Sequence, residues 1–559
     1  MSPSSLSTSG SASADSSRLN GASTGLGSPV SPGTWQAMLP PEGERPKALS
    51  WLDPRVLWRS RNELVARIHD PVPHVRARWM SSFDEADPLT VRLPCSDFVF
   101  CLLGDTGEGD SSQYALIPTL NRVGRDAAFV FICGDLIYPA GDVHDYGPKF
   151  YRPYRNVPRP VYALPGNHDW YDGLDGFMEH LCDTCPMPPD FVEDTAGSLV
   201  TRLTTRLRRS IATALWRGSA TPDVAVIERM KQDRAAWPQP VPQPGPYFVL
   251  ETEHVRFVCI DPGILGNLDA QQGRWLVAVS SGSDKPKVLL TGKPLVVDGE
   301  ISDCPIDGST YPYRSVLDVV HDEALGYVAV IGGDVHNYQR YPVRLHGDAG
   351  HPDLCRTIHH VVSGGGGAFM HATHTIPRIS AARVLGVTEE EFRCYPLRRD
   401  SMAVYSRVID TRFRESLVGR CLDAIGRRPD LNVTSEEAGL FLRDTYDIQS
   451  LGNRPIVPVG AATTADELPA GVRRRCRWLM RLGGGAIFHR VFSPFLDWDD
   501  PPFSKNFLRI EVTKEALTVQ CYSVTGALEQ EDLDTVEDAF TIALDQQRVG
   551  GRTSVSGDA

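Results

Sequence analysis

A series of short apolar runs, each closing on Gly or a ligand-type polar residue, constrains this chain more than any other feature. Phe98–Leu103 runs into Gly104-Asp105, Phe129–Cys133 into Gly134-Asp135, and Val161–Leu164 into Pro165-Gly166-Asn167-His168. Val255–Ile260, Val288–Leu290, Tyr327–Ile331 (into Gly332-Gly333-Asp334) and His360–Val362 (before Gly364–Gly367) continue the pattern. Unbroken apolar runs of this length suit strands buried on both faces, because an exposed face would show alternation. Asp105 to Asp135 is 30 residues and Asp135 to Asn167 is 32, the length of a βαβ unit. An α/β sheet follows, with polar residues at the strand ends, where such sheets place their sites.

The rest of the chain is organised around that core. Residues 1–34 contain 12 Ser and 5 Gly and cannot bury enough surface to offset chain entropy, so a disordered tail is expected there and again over 546–559. Gly21-Ala22-Ser23-Thr24-Gly25 spells a nucleophile elbow, but no strand precedes it and no helix follows, so it carries no such meaning. The reading assigns 35–95 to an N-terminal extension, 96–375 to the core with a helical insertion at about 190–245, 376–500 to a second, mostly helical insertion, and 501–545 to closing strands. In the first insertion Leu199, Leu203, Leu207, Ile211 and Leu215 recur every four residues, after Ser198 as N-cap and before Gly218 as a stop, with an Arg-rich opposite face read as the solvated side of a packed lid. The second holds the run Arg473, Arg474, Arg475, Arg477.

Composition bounds the function. Hydrophobic residues are 41% and charged residues 23% of the 559, the balance of a soluble globular protein. A net charge of −13 argues against a general binder of nucleic acid or of anionic membranes. The most apolar stretch, 478–498, is interrupted by Arg481, His489 and Arg490, so no transmembrane segment is expected. With no basic-then-apolar leader and with Cys101, Cys133 and Cys259 inside apolar runs, a reducing cytoplasm is the expected location.

One Gly-Asp after a strand is usually a turn. Four ligand-type clusters at strand ends are not: Asp105, Asp135, Asn167-His168 and Asp334-x-His336 would converge on one edge of the sheet. Carboxylates and imidazoles held on rigid strands suit a divalent or trivalent metal site.

At these residues the sequence resembles the calcineurin-like metallophosphoesterases. The matching segments are GDTG at 104–107, GDLIY at 134–138, GNHD at 166–169 and GDVHNYQR at 333–340, within about 96–375 plus the closing strands. It looks most like the purple acid phosphatase branch: Gly107 stands where most members have His, and Tyr138 stands three residues after the second Asp. The resemblance implies a four-layer αββα sandwich of two mixed sheets with helical insertions. It implies a first metal held by Asp105, Asp135, Tyr138 and His336, with the phenolate favouring Fe(III). Asp135 would bridge to a second metal whose amide-oxygen ligand is Asn167, and His168 would bind substrate and protonate the leaving group. The chemistry implied is attack of a metal-bound hydroxide on a phosphate ester.

Two departures fall at the second metal. The family's His-x-Pro reads Gly292-Lys293-Pro294 here, and its GHxH reads Gly333-Asp334-Val335-His336. The remaining donors, Asp135, Asn167 and Asp334, are oxygens that suit Mn, Mg or Fe(II), or else Lys293 takes the second ion's place and the site is mononuclear. Cys182-x-x-Cys185 lacks a second ligand pair and reads as two ordinary thiols. His371 and His374 read as polar neighbours of a Gly-rich strand end, and His144 and Asp145 as residues that could line the pocket. The expected partner is a small-molecule or exposed phosphate ester, with no nucleic acid. The alternatives are a diesterase, or a metal-containing binding or regulatory protein without turnover.

Overall fold

The computed structural model describes residues 31–46, 53–81, 89–184, 207–208, 210–212, 214–218, 224–234, 242–308, 313–346, 355–448, 462–482 and 500–544. The strands along these residues are β1 (Thr90–Arg92), β2 (Phe98–Leu103), β3 (Ala127–Cys133), β4 (Val161–Leu164), β5 (Phe248–Glu251) and β6 (Arg256–Ile260). There follow β7 (Lys287–Thr291), the short pair β8 (Val296–Val297) and β9 (Glu300–Ile301), β10 (Tyr327–Gly332), β11 (Tyr338–His346), β12 (Cys355–Ser363) and β13 (Arg393–Tyr395). The chain closes on β14 (Lys505–Val512), β15 (Ala516–Val524) and β16 (Val536–Ala543).

These strands form two large mixed sheets, one of six in the order β16-β15-β14-β2-β3-β4 and one of eight in the order β1-β5-β6-β7-β10-β12-β11-β13. Alternation along each central strand explains why there are four layers. Phe98, Phe100 and Leu102 of β2 pack with Phe257 and Cys259 of β6 between the sheets. Val99, Cys101 and Leu103 turn the other way, onto Leu116, Ile117 and Leu120 of the helix Ser111–Val123. On the far side Val258 and Ile260 of β6 meet Leu276 of the helix Ala270–Ser281. Each of these central strands therefore buries both faces, one against a sheet and one against helices, which is why its sequence shows no alternation. The Phe100 and Phe257 rings meet edge to face at 5.3 Å across the inter-sheet core.

β14 pairs antiparallel to β2, so the expected closing strands join the six-stranded sheet beside the first core strand. Residues 31–34, assigned to the disordered tail, are instead held: Pro32 bridges Ala527, and Thr34 Oγ1 donates to Glu531 at 2.7 Å. The other tail residues, 1–30 and 546–559, lie outside the described residues, as does Cys185.

The helix expected over 199–217 falls partly outside them too. Where it is described, Leu207, Ile211 and Leu215 are exposed rather than packed inward. The second insertion forms the helices Arg398–Glu415, Leu417–Ala424, Ser435–Tyr446 and Ala470–Leu482 around their own apolar cluster. No helix among the described residues is long and apolar enough to cross a membrane.

Candidate metal centre

The site residues stand at the ends of strands from both sheets, not along the edge of one. Asp105 follows β2, Asp135 and Tyr138 follow β3, and Asn167 and His168 follow β4, all in the six-stranded sheet. Asp334 and His336 follow β10, and Gly292 follows β7, in the eight-stranded sheet. Asp105, Asp135, Asp334 and His336 all adopt positive φ, a conformation that costs energy in a non-Gly residue.

The Tyr138 hydroxyl is the hub. It lies 3.3 Å from Asp105 Oδ1, 3.1 Å from Asp135 Oδ2 and 2.8 Å from His336 Nε2. His336 Nδ1 donates to the Phe369 carbonyl at 2.6 Å, so the neutral ring carries its lone pair on Nε2, toward the hub. Asp135 Oδ1 accepts the His168 backbone N–H at 2.8 Å, and Asp105 Oδ2 accepts that of Asp334 at 2.8 Å. Asn167 donates its amide N–H to the Tyr171 hydroxyl at 3.0 Å, which leaves the amide oxygen as its donor atom.

The site gathers buried acidic groups that act on one another. Burial, then the charges of Asp135 and Asp334, push the Asp105 carboxyl well above the usual carboxylate range. Burial followed by Asp135 and Asp105 likewise pushes the Tyr138 phenol up. Asp334 is raised by burial first, opposed by Lys293 and reinforced by Asp135. A cation among these groups would remove the mutual repulsion and reverse each direction. No three His, Cys, Asp or Glu side chains among the described residues gather closely enough to hold an ion by themselves. It is the phenol that links Asp105, Asp135 and His336, so the cluster combines carboxylate and phenol oxygens with one imidazole.

Two glycines stand where the backbone leaves no room for a side chain. A Cβ at Gly107 would fall 1.5 Å from the Leu136 carbonyl oxygen, so no His fits there. A Cβ at Gly292 would fall 2.5 Å from the Pro165 carbonyl oxygen, so no imidazole fits there either.

Other residues sort by contact. His371 stacks on His336 with ring centroids 4.2 Å apart, beside the centre, whereas His374 is buried and bonded to Ser401 Oγ at 2.9 Å. Asp145 does not reach the hub: Lys149 and Arg59, at 3.2 and 2.7 Å, hold it below its ordinary pKa against the opposing effect of burial.

Three supporting residues escaped the sequence reading. Asp169 accepts the backbone N–H groups of Leu136, Ile137 and Gly166 at 3.0, 3.2 and 2.9 Å and so ties together the loops after β3 and β4; its place in Gly166-Asn167-His168-Asp169 was the available signal. Glu63, in the N-terminal extension, accepts from the Tyr171 hydroxyl at 3.3 Å and so stands behind Asn167. Arg76, also in the extension, is buried and bonded to Asp261 at 2.9 Å and to Asp269 at 2.5 Å. Neither Glu63 nor Arg76 sits in a motif.

Residues 98–200 match the family model of the calcineurin-like phosphoesterases. Among solved structures, a purple acid phosphatase from yellow lupin (Lupinus luteus) seeds aligns at 12% identity and a TM-score of 0.35, covering 81% of this chain and 55% of that one. PhoD aligns at 11% identity and a TM-score of 0.30, covering 80% of this chain and 69% of that one. The chain thus spans about half the length of the lupin enzyme. No curated protein matches the chain by sequence.

Proposed function

We propose that this protein hydrolyses a phosphate ester, a small molecule or an exposed group on a larger one, at a metal held by Asp105, Asp135, Tyr138 and His336. The observation that carries the reading is the Tyr138 hydroxyl within 3.3 Å of Asp105, Asp135 and His336 alike. When bound, a metal supplies positive charge for the phosphoryl oxygens and a nucleophile at neutral pH. The phenol favours Fe(III), a hard ion. Asn167 and Asp334 are the further oxygen donors for a second ion such as Mn, Mg or Fe(II).

His168 handles the proton. Its Nδ1–H donates to the Pro139 carbonyl at 2.9 Å, which fixes the ring and leaves Nε2 as the atom that, when both ring nitrogens carry a proton, gives one to the leaving oxygen. The rings of Tyr138 and Tyr171, with centroids 4.4 and 4.8 Å from that of His168, flank it and hold its orientation. A mononuclear version, in which the Lys293 ammonium replaces the second ion, is favoured by the closed space at Gly292 and by the charge of Lys293 acting on Asp334.

Hydrolysis of p-nitrophenyl phosphate and bis-p-nitrophenyl phosphate across a panel of iron, manganese, magnesium and zinc tests the reading and separates monoester from diester preference. Asp135→Asn should abolish turnover in a folded protein. His168→Ala should lower turnover by about 10²–10⁴-fold and keep the metal. No hydrolysis with any metal, or near-normal turnover in Asp135→Asn, would overturn the proposal.

A further inference from the structure

We propose that the second insertion docks this protein onto an anionic phospholipid surface, through a stripe of arginines around Trp478. In the helix Ala470–Leu482, Val472, Cys476 and Leu479 are buried in the insertion's apolar cluster. The opposite side carries Arg474, Arg477, Trp478 and Arg481, the i, i+3, i+4, i+7 spacing of a single helix face. All four are exposed, and they line an open depression of about 610 Å³.

Their neighbours Arg473 and Arg475 are engaged, with Asp466 and with the Asp430 carbonyl, each at 2.9 Å. Among the described residues no carboxylate pairs with Arg474, Arg477 or Arg481. Three guanidinium groups side by side without counter-charge repel one another. An array of phosphates relieves that repulsion, and a tryptophan among them suits the headgroup level of a bilayer.

A second feature selects lipid over nucleic acid. Leu417, Val418 and Ile425, on the helix Leu417–Ala424 and its C-terminal cap, are 80%, 61% and 63% exposed. At 3.6 residues per turn they fall within an arc of roughly 100°. Aliphatic side chains presented this way add little to phosphate-backbone binding, but they insert between acyl chains. The Arg475–Asp430 contact ties the segment that follows them to the arginine helix.

The net charge of −13 does not oppose this docking, because charge is distributed unevenly. Residues 398–482 hold 15 Arg, no Lys and 11 acidic residues, so the insertion is basic while the rest of the chain is acidic. Within a Debye length of the membrane the local patch dominates, and the acidic remainder turns outward.

The test is co-sedimentation of the full chain with phosphatidylcholine vesicles, with and without 30 mol% phosphatidylglycerol, at constant ionic strength. Binding is expected to the anionic vesicles alone. The triple variant Arg474→Glu, Arg477→Glu, Arg481→Glu should lower partitioning by about 100-fold or more, since each basic residue near such a surface contributes roughly fivefold. Leu417→Ser with Val418→Ser should weaken it with every charge kept, and both variants should keep the wild-type melting temperature. Equal binding to neutral vesicles, absence of binding to anionic ones, or full binding by the triple variant would overturn the proposal. So would displacement by 10 mM inorganic phosphate, which would mark a site for single phosphates, or arginine-dependent binding of a single-stranded oligonucleotide in place of vesicles. None of these measurements uses turnover, so the proposal stands or falls apart from the phosphoesterase reading.

Discussion

Tyr138 holds its hydroxyl 2.8 Å from His336 Nε2 across 198 residues of sequence, joining the end of β3 in one sheet to the end of β10 in the other. Neither residue could meet the other without the stacking of the two sheets. The contact therefore reports on fold and chemistry together.

Tyr138→Phe keeps the ring that packs on His168 and removes only the hydroxyl at the hub. The expected outcome is at least a tenfold loss of iron retained after extensive dialysis, together with loss of a visible tyrosinate band. Metal analysis paired with a visible spectrum checks both. Two equivalents of retained zinc and a colourless wild type would refute the iron assignment.

At the second position, Gly292→His is expected to destabilise the protein instead of restoring a ligand, because its Cβ meets the Pro165 carbonyl. Overpacking of this kind costs about 1–3 kcal/mol, so a lower melting temperature with unchanged metal content is the expected pair of results. Lys293→Ala should raise the manganese content if the ammonium takes the second ion's place. Unchanged stoichiometry would point Lys293 elsewhere.

Arg76 joins the N-terminal extension to the core through Asp261 and Asp269, and Asp261 Oδ1 in turn accepts from Trp170 Nε1 at 3.0 Å, two residues past His168. Removing one partner of a buried pair strands the others, at a cost of about 3–5 kcal/mol. Arg76→Met should lower the urea midpoint accordingly. Arg76→Lys should recover only part, since an ammonium cannot reproduce the forked contacts to Asp261 and Asp269.

His180 sets a pH dependence. Its Nε2–H donates to the Val143 carbonyl at 3.0 Å and its Nδ1 accepts from Tyr151 at 3.2 Å, while burial carries its pKa down to about 3. The unfolded chain takes up this proton below about pH 6.5 and the native state does not. The contribution is thus fully present above pH 6.5 and is lost as pH falls toward 3, by up to about 1.4 kcal/mol per pH unit. Buried His360, also carried down to about 3, adds in the same direction. Urea unfolding of the metal-free protein at pH 4.5, 5.5 and 7 should show this slope, shallower by about one proton in His180→Gln. An unchanged slope would assign the acid sensitivity to other groups.

The core strands and their polar ends were legible in the sequence because each is a local event. Phe98–Leu103 and Val161–Leu164 are strands over the same residues that their apolar runs mark, since a strand buried on both faces writes its burial into every position. Short or partly exposed strands such as β1 and β16 left no comparable trace. Asp105, Asp135 and His336 could be singled out as ligand types, but their meeting at one hydroxyl depends on two sheets stacked through Phe100 and Phe257. Glu63 and Arg76 were invisible for the same reason: their partners lie 108 and 185 residues away, and no local pattern records a contact that chain folding alone creates. Local burial and turn chemistry are properties of neighbouring residues, and the sequence by itself determined those. Which polar groups meet at the Tyr138 hydroxyl, and which glycines leave no room for an imidazole, depend on distances between separate segments, and only the tertiary structure decided them.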